Sequence, residues 1–271
     1  MELAPDNLGT WSNLHAVLYD DQDSEPACQC LEQALRIDGR DTKVHFFLGV
    51  ARARQGKQEE ADKHFDVVSN AGEAESYRLD SWSYIDEASG ANTRLLGTSA
   101  KMLSLGVGAA RTKGMVLEFG VRYGTSIRQI AAHANQDVHG FDTFVGLPED
   151  WHQERAGSYS TCGELPKVPD GVYLHRGLFE DTLPPFLDNT GGNIRLMNVD
   201  CDLYSSTKTI FDHVRERITR GTVIIFDEYI GYPHWREDEF RAFQEAVHFC
   251  GWKYEYLAFS LFSKQAVVRI Q

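Results

Sequence analysis

Two short acidic runs carry the first chemical signal in this chain. Asp200-Cys201-Asp202-Leu203-Tyr204 follows the apolar run 194–199, and Asp227-Glu228-Tyr229 follows the run 222–226. Apolar runs of that length, rich in β-branched residues, read as buried strands, so both acidic runs sit at strand ends. Carboxylates brought together from neighbouring strand ends repel, and each raises the other's pKa unless a cation neutralises them. Hard oxygen donors of this kind suit Mg²⁺ or another divalent cation, which makes Asp200, Asp227 and Glu228 candidate metal ligands. The same acids would also serve as caps for the helices that follow, Asp202 most simply.

A second signal lies upstream, in Glu118-Phe119-Gly120-Val121-Arg122-Tyr123-Gly124-Thr125-Ser126. Gly120 and Gly124 let a backbone turn tightly and approach a ligand with no Cβ in the way. A helix beginning near Ser126, capped by Thr125 or Ser126, would offer free N–H groups to a carboxylate or phosphate. The spacing departs from the dinucleotide pattern G-x-G-x-x-G, which argues against NAD. Asp142 closes the next strand, where one carboxylate can accept both hydroxyls of a ribose, and it would also suit a plain turn. It supports an adenosine ligand without choosing between nicotinamide and sulfonium cofactors. His234, in Gly231-Tyr232-Pro233-His234-Trp235, is a second candidate proton acceptor besides Asp200, because histidine is the side chain suited to proton transfer at physiological pH, although a lone loop histidine is commonly a surface residue.

The elements that must position these groups alternate from residue 113 onward. Strands are expected at 115–119, 137–141, 172–175, 194–199 and 222–226, with helices over 126–132, about 206–217 and about 237–249. A final antiparallel pair is expected over 253–260 and 265–270. Regular alternation implies an α/β, doubly wound, Rossmann-like sheet, mostly parallel with an antiparallel last strand, with ligands at the carboxyl ends of its strands. Every polar cluster above falls at such an end. The segment 148–171, rich in Pro, Gly and Ser, is long enough to close over a second substrate.

The first 75 residues show no strand alternation. A shift of 34 positions aligns Leu14 with Leu48, Ala27 with Ala61, Leu31 with Phe65 and Ala34 with Val68. His45-Phe46-Phe47-Leu48-Gly49, then Gly56, Ala61 and Phe65, resembles a tetratricopeptide repeat, in which small residues let paired helices approach. A generic pair of helical hairpins reads the same way. The expected division is a helical repeat segment at 1–75, a helical linker or lid at 76–112, and the catalytic domain at 113–271. Two repeats are too few to stand alone, so they would pack on the catalytic domain, on a second copy or on a protein partner.

Composition narrows the classes. A formal charge of −13, from 40 acidic and 27 basic residues, repels phosphate backbones and anionic lipid, so no nucleic acid or membrane is expected as partner. Five scattered cysteines without a C-x-x-C pair point to free thiols rather than disulfides or structural zinc. Met1 to Asp6 lacks a basic region followed by an apolar run, and no apolar stretch approaches a bilayer span, so a cytoplasmic protein is expected.

Five motifs, in order, are similar to the macrocin O-methyltransferase family of class I S-adenosylmethionine (SAM) enzymes. They are 118–121 (EFGV), 140–149 (GFDTFVGLPE), 177–184 (GLFEDTLP), 200–207 (DCDLYSST) and 221–229 (GTVIIFDEY). The resemblance covers about residues 113–250. It implies methylation of a hydroxyl on a small molecule such as a sugar or natural-product scaffold, with SAM as donor and Mg²⁺ as activator. By position, Glu118, Gly120, Gly124, Ser126, Asp142 and Thr143 would contact SAM. Asp200, Asp227 and Glu228 would hold the metal, with Asp200 as first candidate for general base. The family often carries two aspartates where this chain has Asp227-Glu228, so the longer Glu228 is a departure. Two other classes compete: an NAD-dependent oxidoreductase, which lacks its third glycine here, and a non-catalytic repeat-containing adaptor, which leaves the acidic cluster without a purpose.

Overall fold

The computed structural model describes residues 7–271, so the expectation drawn from Met1–Asp6 lies outside the described residues. The chain divides into two compact units. The smaller holds the residues up to Ser99 together with Ile230–His234 and Ala258–Lys264, and the larger holds Ala100–Tyr229, Trp235–Leu257 and Gln265–Gln271.

In the smaller unit, helices α1 (Leu8–Leu18), α2 (Glu25–Ile37), α3 (Thr42–Arg54) and α4 (Gln58–Ser69) follow one another, then α5 (Ser76–Ala88). The pair α3/α4 repeats the pair α1/α2 close to the 34-residue step of the sequence. Most aligned positions are core positions: Ala27, Leu31, Ala34 and Ala61 are fully buried and Leu48 and Val68 nearly so, while Leu14 and Phe65 are half-buried. Gly49 shows why a small residue stands there, because a Cβ would meet the Phe65 ring at 2.7 Å. Strand β1 (Arg94–Leu95) runs parallel to Ala258–Phe259. The apolar pair Leu95-Leu96, within the segment 76–112 expected to be helical, thus forms a short strand and a bridge to Asp20. The cause is tertiary: a free strand edge outweighs weak local periodicity.

The larger unit opens with α6 (Ser99–Ala109), just past the division, and continues as β2 (Met115–Phe119), α7 (Thr125–Ala134), β3 (Val138–Asp142), β4 (Val172–Arg176) and α8 (Phe179–Asn189). Next come β5 (Ile194–Val199), α9 (Tyr204–Val214) with a 3₁₀ turn at Arg215–Arg217, β6 (Val223–Phe226), α10 (Glu239–Cys250), β7 (Tyr254–Ser260) and β8 (Gln265–Ile270). The strands lie in the order β7-β8-β6-β5-β2-β3-β4. Pairings β4-β3-β2-β5-β6 are parallel, and β8 is antiparallel to β6. This is an α/β Rossmann-like sheet whose strand order reverses between β2 and β5. Residues of β2 and β6 are buried throughout, as a sheet covered on both faces requires, and each fully buried Val or Ile contributes about 1.5–3 kcal/mol.

Two local features depart from expectation. Helix α7 begins after Gly124, which sits at φ +74° with no side-chain cap, rather than on a Thr125 or Ser126 cap. Helix α8 was not anticipated; Pro184 and Pro185 lie inside it and remove two backbone donors, yet Leu183 and Phe186 bury its inner face.

Candidate active site

Sheet order dictates where the polar groups meet. A cavity of about 550 Å³ opens at the carboxyl ends of β2, β3, β5 and β6, and its wall includes Gly120, Asp142, Thr143, Asp200, Asp202, Asp227 and Glu228. This is the switch point of the sheet, where α/β folds bind ligands.

The β2 tip is held against the β5 tip. Asp200 N–H donates to the Phe119 carbonyl at 2.8 Å, and a Cβ on Gly120 would lie 1.7 Å from the Asp200 carbonyl oxygen. With φ at +89° as well, only glycine fits position 120. Asp142 shapes the loop that follows. Its Oδ2 accepts the N–H groups of Val121 and Arg122, both at 2.8 Å, and its Oδ1 accepts Phe144 N–H at 2.6 Å. One carboxylate therefore ties the β3 tip to the turn after β2, and its oxygens have less capacity left for a ribose diol than an isolated aspartate would. Thr143 Oγ1 donates to the Gly146 carbonyl at 3.1 Å and accepts Val145 N–H, which starts the long loop.

Beneath the cavity lies a buried polar layer. Glu118 is fully buried, and its Oε1 accepts from Asn198 Nδ2 at 2.9 Å while Oε2 has no hydrogen-bond partner. Burial pushes its carboxyl up to about 8, against the opposing hydrogen bonds of Ser126 and Asn198. Burial likewise raises Asp200 well above the usual carboxylate range, with Asp227, Asp202, Glu118 and Glu239 adding to it. Glu239, in the first turn of α10, is also fully buried; its two oxygens accept Cys201 N–H at 3.4 Å and Glu228 N–H at 3.2 Å. It bonds the backbone past both the β5 and the β6 tips, and burial raises its carboxyl too. Asn198 and Glu239 were missed by sequence reasoning. Glu239 had one available signal, an acid in the first turn of a helix that follows the second acidic strand end.

The expected site residues sort clearly. Gly120, Asp142, Thr143, Asp200, Asp227 and Glu228 line the cavity together; Glu118, Gly124 and Ser126 do not line it, and Glu118 is fully buried. His234 belongs to the smaller unit and is not among the lining residues. Asp202, read as a helix cap, instead lines the cavity with φ at +62°, a strained value for a residue other than glycine. Among the described residues no group of three or more His, Cys, Asp and Glu side chains is placed to hold a metal ion. Asp200, Asp227 and Glu228 share the wall without converging as a ligand set, and Asp227 Oδ1 accepts from Gln265 Nε2 at 2.5 Å. The residues as placed do not fit a resident Mg²⁺.

The loop 146–159 covers one side. Leu147, Pro148, Glu149 and Tyr159 line the cavity, and Ser205 Oγ donates to Glu149 Oε1 at 2.5 Å. Trp151 Nε1 donates to Asp238 Oδ2 at 3.1 Å, and His152 Nε2 lies 2.8 Å from the same oxygen. The loop is thus fastened to the starts of α9 and α10.

Comparison with known proteins agrees with this geometry. Residues 117–229 match a family described as "Methyltransferase domain". The fold is a methyltransferase fold. No curated protein matches the chain in sequence. Among solved structures, the calicheamicin methyltransferase CalS11 is similar at 19% identity and a TM-score of 0.50, covering 79% of this chain and 92% of that one. The O-methyltransferase NovP matches at 18% identity and a TM-score of 0.48, over 66% of this chain and 82% of that one. An O-methyltransferase from Bacillus cereus, in complex with SAH (S-adenosylhomocysteine), matches at 13% and 0.43, over 72% and 90%.

Proposed function

We propose that the protein is a SAM-dependent O-methyltransferase that acts on a hydroxyl of a sugar or natural-product scaffold, as the motifs shared with the macrocin O-methyltransferase family suggest. The observation that carries this reading is the cavity at the β2/β5 switch point, walled by strand tips that lie within the residues matching the methyltransferase domain. An acidic cavity favours a sulfonium cation, and the glycine tip at Gly120 leaves room for a ligand to approach the backbone. Both fit SAM, which supplies a methyl group already activated for displacement.

The chain's own residues then have three tasks. Gly120 and the Asp142-pinned turn at Val121–Arg122 shape the donor side, with Thr143 beside them. Asp200 takes the acceptor hydroxyl's proton onto a carboxylate oxygen. Burial and the neighbouring carboxylates raise its pKa well above the usual carboxylate range, which strengthens it as a base, and a cation in the cavity favours its ionised form. The loop 146–159 holds the acceptor and keeps water out, so that proximity lowers the barrier. The expected Mg²⁺ ligands do not converge among the described residues, so deprotonation falls to the protein's own carboxylate. The N-terminal helix pairs are proposed to be tetratricopeptide-like and to serve a protein partner or a second copy.

Incubation with methyl-labelled SAM and a panel of glycosides and hydroxylated scaffolds tests the reading. Label is expected on oxygen of at least one acceptor, with SAH formed in equal amount. A protein that neither binds SAH nor labels any acceptor would defeat it.

A further inference from the structure

Arg122 is the only cationic residue lining the cavity among the described residues, where seven carboxylates line the same wall. It pairs with none of them. Its backbone is held at φ +50° by the Asp142 Oδ2 bond to its N–H, a conformation few side chains other than glycine adopt. Its guanidinium carbon lies 5.1 Å from the centre of the Tyr123 ring and 4.9 Å from that of Tyr159. Stacking on aromatic faces satisfies the plane of a guanidinium and leaves its N–H edge free to bind. Those N–H groups take no hydrogen-bond or ion-pair partner among the described residues.

Such an arrangement has a direction. An arginine beside many carboxylates ordinarily pairs with one, and pairing would consume its bidentate edge. Here strained backbone and two tyrosines keep it presented to the cavity instead. The N-terminus of α7, the other donor group suited to an anion, is out of reach, since Gly124 and Ser126 do not line the cavity.

We propose that Arg122 is the anion-binding residue of this site, receiving a carboxylate or phosphate through its guanidinium edge. The proposal rests on the reading of the cavity as a SAM site. Two sources offer that chemistry: the α-carboxylate of SAM, and an acidic group on the acceptor. Without Arg122, the described lining would offer either anion no cationic partner. Tyr159 is then the stacking support that sets the guanidinium's plane.

Calorimetric titration of wild type, Arg122→Gln and Arg122→Lys separates the outcomes. The probes are SAH, 5′-methylthioadenosine, which lacks the amino-acid end, and inorganic pyrophosphate added to free and to SAH-saturated protein. If the anion is the cofactor's, Arg122→Gln weakens SAH tenfold or more and leaves methylthioadenosine within twofold, with partial recovery in Arg122→Lys. If it is the acceptor's, both nucleosides bind unchanged while pyrophosphate binding to the SAH complex is lost in Arg122→Gln. Unchanged binding of all three probes overturns the proposal. So does an equal loss of SAH and methylthioadenosine, which would mark a merely structural residue. If wild type binds neither nucleoside, the SAM reading fails, and the pyrophosphate comparison alone decides the role of Arg122.

Discussion

Replacing Glu118 with glutamine should stabilise the protein, by an amount that depends on pH in a defined way. Glu118 is fully buried, and its carboxyl titrates at about 8 in the folded chain against 4.5 when unfolded. The folded state therefore holds a proton that the unfolded state releases, so this group's contribution to stability falls as pH rises from about 4.5 to about 8. At 1.36 kcal/mol per unit, the cost is about 3 kcal/mol at pH 7 and levels off near 5 kcal/mol above pH 8. Glutamine keeps an oxygen for Asn198 Nδ2 and has no proton to lose. Urea unfolding of both proteins from pH 5 to pH 9, with a chelator and no SAM, reads the difference. The Glu118→Gln advantage should be small at pH 5 and grow to several kcal/mol by pH 8. An advantage that stays constant across this range, or a variant less stable throughout, would refute the reasoning that burial sets this carboxyl's state.

Three further outcomes follow from named contacts. Gly120→Ala places a Cβ 1.7 Å from the Asp200 carbonyl, so it should lower stability by about 3 kcal/mol or more and abolish SAH binding, as unfolding and calorimetry will show. Asp200→Asn should cut turnover about 100-fold or more with SAH affinity nearly unchanged. Because burial raises the Asp200 carboxyl, the wild-type rate should climb with pH over a range above that of an ordinary carboxylate, and that climb should be absent from the variant's profile. Asp238→Ala removes the acceptor shared by Trp151 and His152, so limited proteolysis should cut within 148–160 faster than in wild type, while SAH binding persists.

Much of the larger unit was legible because its strands are apolar runs punctuated by glycine and aspartate. The ranges of β2, β5 and β8 match expectation residue for residue, and every acidic strand end reached the same cavity. What escaped was set by distant partners. Helix α8 carries two prolines that read locally as breakers, and it buries Leu183 and Phe186 in packing that the local sequence does not reveal. Leu95-Leu96 joined a strand edge that no local pattern announces. Asn198 and Glu239 matter through bonds to residues 80 and 38 positions away. Strand order brings Asp200, Asp227 and Glu228 to one cavity wall, but convergence of three carboxylates depends on side-chain directions that spacing does not encode. Arg122 looked like one residue of a glycine-rich turn, and its stacking on Tyr159 bridges two loops far apart in sequence.

Equilibrium titration with SAH, followed by competition with SAM and with NAD⁺, tests the central claim most directly. The account predicts one saturable site per chain, displaced by SAM, untouched by NAD⁺ and lost in Gly120→Ala. Saturable binding of NAD⁺ with none of SAH would contradict it.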